Sequence, residues 1–211
     1  MALAHRTIAY PFPKPPTPDE PACRQAGQRT ASSCPSQARY NSAVMFEHDP
    51  QAWVLKALRE AGGSLLSELA SFDEDVLRWR PAEDEWSLKE IAAHLRDAEE
   101  LVLAQLNAFA SGGSKPLPAW DVDLLPLERD YQDEEIDRFL AGFRDLRRET
   151  TYLMWGFTDA DWGSCAQHPY RGEVTLGEIA RELAQHDLEH LWQVRRLKER
   201  LRETVAARDD D

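Results

Sequence analysis

Apolar residues recur at steps of three and four through most of the chain beyond residue 45, the spacing of one face of an α-helix. The first run predicts a helix from about Pro50 to Phe72, with Val54, Leu58, Ala61, Leu65, Leu69 and Phe72 on its apolar face. Gly62 and Gly63 weaken its middle by about 1 kcal/mol each relative to alanine. A second helix opens at Ser87-Leu88-Lys89-Glu90, a capping box in which the serine hydroxyl accepts an orphan amide and the glutamate reaches back. It carries Leu88, Ile91, Leu95, Ala98, Val102 and Phe109 and stops at Gly112–Gly113. A loop of about 19 residues with Pro116, Pro118 and Pro126 precedes a third helix, about Asp133 to Phe157, whose face holds Ile136, Phe139, Leu140, Phe143, Leu146, Leu153 and Phe157. The fourth helix repeats the capping box as Thr175-Leu176-Gly177-Glu178. No strand is evident. Four long amphipathic helices predict an all-α fold, a four-helix bundle over residues 45–205, with residues 206–211 as an acidic end.

The first 44 residues lack this periodicity. They hold seven of the 13 prolines and five basic residues against Asp19 and Glu20. Such a segment buries too little apolar surface to offset its ordering entropy. Two readings follow: a disordered proline-rich tail, or a chain whose real start is Met45.

The formal net charge is −13, which argues against phosphate backbones and anionic membranes as partners, so neither nucleic acid nor membrane is expected. No apolar run approaches the roughly 20 residues of a membrane span, and no leader-like apolar segment follows the first basic residue. The cysteines Cys23, Cys34 and Cys165 form no metal or disulfide pattern, which fits reduced thiols and a cytoplasmic location.

The chemistry lies in the fourth helix. Its inner positions read Leu176, Ile179, Leu183, His186, His190, Val194, Leu197 and Leu201, so two imidazoles one turn apart replace apolar residues. Burying two unpartnered rings costs on the order of 1–3 kcal/mol each. A divalent metal ion satisfies them, since an i, i+4 histidine pair presents both rings on one helical face. His94, on the flank of the second helix beside Ile91, Leu95 and Ala98, is the third candidate ligand. Three neutral imidazoles leave coordination positions open for water or substrate. The alternative is three histidines bonded to backbone and carboxylates. Glu182 is a candidate extra ligand or acceptor, Gln193 a candidate pocket residue, and Trp86 and Trp192 candidate walls; each also reads as packing or solvated surface. His168 reads as a surface-loop residue. His186-Asp187-Leu188-Glu189-His190 also matches the inverted zinc-protease pattern H-x-x-E-H. That pattern needs an acidic third ligand well downstream, and here Glu199 and Glu203 merely continue the same helix.

Arg80-Pro81, Trp86-Ser87, Glu90 and His94-Leu95, followed by His186, His190 and Gln193, resemble the DinB-like superfamily over about residues 47–203. That group includes YfiT-type bacillithiol S-transferases and mycothiol-dependent maleylpyruvate isomerases. The resemblance implies a four-helix bundle of unusual connectivity and a zinc or nickel ion on His94, His186 and His190. It also implies frequent homodimers and, for some members, a low-molecular-weight thiol such as bacillithiol. The function expected is a metal-dependent thiol S-transferase, or a related metal-assisted reaction, on a small-molecule substrate. The alternative is a non-enzymatic metal-binding or stress-related dimeric module.

Overall fold

A computed structural model describes residues 49–112 and 116–209. The expectations for residues 1–44, including Cys23 and Cys34, and for a start at Met45 fall outside the described residues. Helix α1 (Pro50–Leu69) starts on Asp49, whose carboxylate accepts the Gln51 amide, with Pro50 in the first turn. A short α2 (Glu74–Arg78) leads to α3 (Leu88–Ala110). The crossover then runs through α4 (Leu125–Glu128) and a 3₁₀ turn (Tyr131–Asp133) to α5 (Ile136–Gly156). A brief α6 (Asp159–Trp162) precedes strands β1 (Cys165–His168) and β2 (Gly172–Thr175), and α7 (Leu176–Asp209) closes the chain.

The expected four helices are α1, α3, α5 and α7. The expected absence of strands is corrected: β1 and β2 form an antiparallel hairpin with Ala166 opposite Val174. Ala166 and Val174 face the core, and the Gln167 carbonyl accepts the Leu117 amide at 2.8 Å, which ties the crossover to the hairpin. His168 therefore closes a strand rather than sitting in a loop. Helix α7 runs past the expected boundary at residue 205 to Asp209. Among the described residues, no helix is long and apolar enough to cross a membrane.

Helix α3 packs on α5 and α7, and α1 packs on α7 and α5, so the cyclic order is α1–α7–α3–α5. Chain neighbours α1 and α3 stand on one diagonal, and α5 and α7 on the other. Two apolar clusters fill the bundle. One gathers Leu65, Leu69, Ile91, Leu95, Phe139, Phe143, Val194 and Leu197; the other gathers Val54, Leu58, Leu106, Met154, Leu176, Ile179 and Leu183.

Between the clusters lies a charged layer fed by every long helix. Arg147 of α5 donates through Nη1 to Asp187 Oδ2 of α7 at 2.5 Å and to the Leu58 carbonyl of α1 at 2.9 Å. Its Nη2 donates to Glu99 Oε2 of α3 at 2.6 Å and to Asp187 Oδ1 at 3.1 Å. All three charged side chains are buried. Burial disfavours the guanidinium's charge, but Glu99 and Asp187 outweigh it and raise the Arg147 pKa.

This layer explains Gly62. A Cβ there would stand 2.9 Å from Arg147 Nη1, an atom fixed by its bonds, whereas a Cβ at Gly63 would meet nothing within 4 Å. Gly62→Ala should therefore destabilise by about 1 kcal/mol or more despite the better helix propensity of alanine. Gly63→Ala should stabilise by about 0.5–1 kcal/mol. Denaturant unfolding of the two variants checks the opposed signs.

Candidate metal centre

The start of α3 is fixed by its sequence. Ser87 Oγ accepts the Glu90 amide at 3.2 Å, and Glu90 Oε2 accepts the Ser87 amide at 2.9 Å, completing the predicted capping box. Arg80 forks onto the same carboxylate, with Nε to Oε2 at 2.9 Å. Arg80, Ser87 and Glu90, separate marks in the sequence, thus act together to set where α3 begins. His94 follows one turn after Glu90. Thr175 and Glu178 cap α7 by the same reciprocal bonds, at 3.1 and 2.7 Å.

His94, His186 and His190 converge. His94 Nε2 lies 2.8 Å from His186 Nε2, which lies 3.2 Å from His190 Nε2. Each ring offers a ligand atom within 4.8 Å of the others. Nitrogens bound tetrahedrally to one zinc ion at about 2.0–2.1 Å stand roughly 3.3 Å apart, so the donor set fits a single small cation.

The outer nitrogens strengthen the fit. The Val122 carbonyl, 3.4 Å from His94 Nδ1, can only accept, so that Nδ1 carries the proton and the neutral ring's Nε2 is bare. Gln193 Oε1, 2.8 Å from His190 Nδ1, does the same for His190. Two bare nitrogens facing a third at such distances repel one another unless a proton or a cation lies among them. A second proton on the His94 or His190 ring is opposed by the surroundings. Burial, then His186 and His190, pushes the His94 pKa well below its ordinary value; burial and His186 push His190 down to about 3. Neutral rings suit metal ligation.

The seam differs from the sequence reading in one respect. The residue of α7 wholly buried at this level is Asp187, while His186 and His190 stand half-buried on its flank and His94 is the fully buried ring. Steps of three and four both lead out of Leu183, and the structure takes the step to Asp187. Trp86 walls the site, its ring centroid 4.9 Å from that of His94. Trp192 instead lies exposed, with the Arg196 guanidinium 5.3 Å above its ring. Glu182 is drawn away by Arg171 of the hairpin, and Glu189 is exposed and bonded to Gln185, so neither joins the site. The protease pattern thus lacks its general base. Sequence reading missed Asp123, whose Oδ1 is 3.8 Å from His94 Nε2, and the Val122 carbonyl. Both lie on the crossover, where no periodicity marks them. Burial, then Asp121, raises the Asp123 pKa.

A family profile described as the DinB superfamily matches residues 57–194, a span that includes all three histidines. The chain belongs to the DinB superfamily. The uncharacterized protein YuaE of Bacillus subtilis is 23% identical over 164 residues, covering 70% of this chain and 98% of YuaE. YfiT from Bacillus subtilis, described as a probable metal-dependent hydrolase with an unusual four-helix bundle topology, superposes with a TM-score of 0.67 at 16% identity. That match covers 77% of this chain and 93% of YfiT. The colibactin self-resistance protein ClbS, solved in complex with a double-stranded DNA, superposes with a TM-score of 0.55 at 16% identity, covering 71% of this chain and 95% of ClbS. At these identities the structures share the fold with this DinB-superfamily chain.

The ClbS complex corrects the expectation that excluded nucleic acid. The same fold accepts duplex DNA there, so the architecture poses no bar. A net charge of −13 is a sum over the whole chain and does not fix the field at any one face.

Proposed function

We propose that this DinB-superfamily protein is a metal-dependent enzyme in which His94, His186 and His190 hold one divalent ion, zinc or nickel. We propose further that it transfers a low-molecular-weight thiol such as bacillithiol to an electrophilic small molecule. The observation that carries the reading is the meeting of three Nε2 atoms from two helices, two of them left bare by acceptors at Nδ1.

When bound, such an ion supplies Lewis acidity and lowers the pKa of a coordinated water or thiol towards neutrality. The chain's own groups do the rest. Val122 and Gln193 hold two ring tautomers, so the donors are neutral and aimed before any ion arrives. Trp86 shields one side from water. Asp123, on the open side, is placed to take a proton from an incoming nucleophile. The nucleophile comes from the co-substrate; among the described residues, no cysteine joins the three-histidine cluster.

Elemental analysis of protein purified without a histidine tag should find one zinc or nickel per chain, and none in His190→Ala. Metal-loaded protein should conjugate a thiol to a test electrophile, and His190→Ala should not. Equal rates in the two would sink the thiol-transfer reading, and tight metal binding without turnover would leave a metal-binding module instead. Product analysis distinguishes thiol transfer from attack by water, the outcome that the description of YfiT as a hydrolase suggests. Free metal at 100 times its Kd should raise the unfolding free energy by about 2.7 kcal/mol, read as a Tm rise of roughly 5–11 °C.

A further inference from the structure

Two of the three imidazoles have an acceptor at Nδ1. The third does not: His186 Nδ1 is buried with no hydrogen-bond partner. A carboxylate oxygen of the next residue, Asp187 Oδ1, stands 3.9 Å from it, too far for a hydrogen bond and near enough for a small shift of the ring to make one. Asp187 itself cannot make that shift. The Arg147 fork holds both of its oxygens, Glu99 and the Leu58 carbonyl hold Arg147, and Gly62 leaves the guanidinium its space.

We propose that Asp187 is the carboxylate that receives the Nδ1–H of His186, and that Arg147 is the residue that positions Asp187 for it. The proposal rests on the metal reading above and adds to it the missing partner of the third ring. It also gives the charged layer a role beyond packing. The Arg147 guanidinium donates to both Asp187 oxygens, at 2.5 and 3.1 Å, and balances the carboxylate's charge in the interior. A carboxylate fixed from behind orients the ring and raises its basicity as a ligand, and the loss of such a partner typically weakens metal binding about 10–100-fold. Asp187 thus serves two elements at once, binding α5 through Arg147 and facing the imidazole one residue before it. Arg147 touches no imidazole and acts only through Asp187.

Glu99 supplies the internal control, because it bonds the same guanidinium and no histidine. Zinc affinity of the full chain is measured by competition with a chromophoric chelator for wild type, Asp187→Asn and Glu99→Gln. Asp187→Asn should bind zinc about 10–100-fold more weakly, while Glu99→Gln stays within about threefold of wild type. Affinity of Asp187→Asn within about threefold of wild type overturns the proposal. So does an equal loss in both variants, the mark of a layer that only holds the helices together. Wild type alone gives a second measurement should Asp187→Asn fail to fold. Long-range ¹H–¹⁵N spectra of the zinc-loaded protein should show His186 protonated at Nδ1 and zinc-bound at Nε2, and the opposite assignment overturns the proposal. Wild type that takes up no zinc would defeat the metal reading itself, whereas zinc-binding wild type with an unaffected Asp187→Asn defeats only the role given to Asp187.

Discussion

Arg147→Met should lower the unfolding free energy by about 3–5 kcal/mol, the usual cost of removing one partner from a buried ion pair. Methionine fills much of the volume, so the loss is electrostatic. Glu99 and Asp187 would be left facing each other without a cation between the two apolar clusters, and the Leu58 carbonyl would lose its donor. The variant also carries a signature in pH. Its stranded carboxylates can regain part of the loss by protonating, so the stability gap to wild type should narrow as pH falls from about 7 to 5. Denaturant unfolding of both proteins across that range reads the effect. A gap below about 1 kcal/mol at pH 7 would mean that the charged layer adds little to folding. The paired expectation at Gly62 and Gly63 probes the same layer from α1 without changing a charge.

Acid should destabilise the metal-free protein through its imidazoles. His190 has its folded-state pKa pushed down to about 3, and His94 lies well below its ordinary value. The unfolded chain takes up protons on these rings from about pH 6.5 downwards, while the folded chain resists until far more acid conditions. Through that window the unfolded state binds more protons, so stability falls as pH falls, by up to about 1.4 kcal/mol per pH unit for each ring. Carboxylates held low by ion pairs, such as Glu68 and Glu74, act in the same direction. The imidazole part is therefore read as a difference. Chelator-treated His190→Leu should lose less stability than wild type between pH 7.5 and 5, and parallel curves would show that His190 is not held neutral by the fold.

The four helices were legible because their apolar faces repeat over five or more turns. The capping boxes at Ser87 and Thr175 were legible because their chemistry is local. The three histidines could be singled out as polar groups at or beside apolar stripes. Other parts had no such mark. A hairpin of two four-residue strands is too short for alternation to stand out, and part of its support comes from Leu117, some 50 positions earlier. Arg147 and Glu99 look like solvated surface in a sequence, since a pattern that scores charge as outward cannot show two charges neutralising each other across a bundle. Asp187 was hidden by helical geometry, because steps of three and four fit the seam equally well after Leu183. Net charge could not exclude nucleic acid because a sum carries no position.

The polar layer has a mechanical consequence. A slide of α7 by one turn, about 5.4 Å, would pull its carboxylate off the guanidinium and carry two imidazoles past His94. The long helices are thus keyed in register, like a bolt whose notch admits one position. The crossover segment that brings Val122 and Asp123 to His94 lies over this keyed frame, its backbone pinned at Leu117 and Pro118. Variation in what this centre accepts should accumulate on that strap, leaving the helices beneath it unchanged.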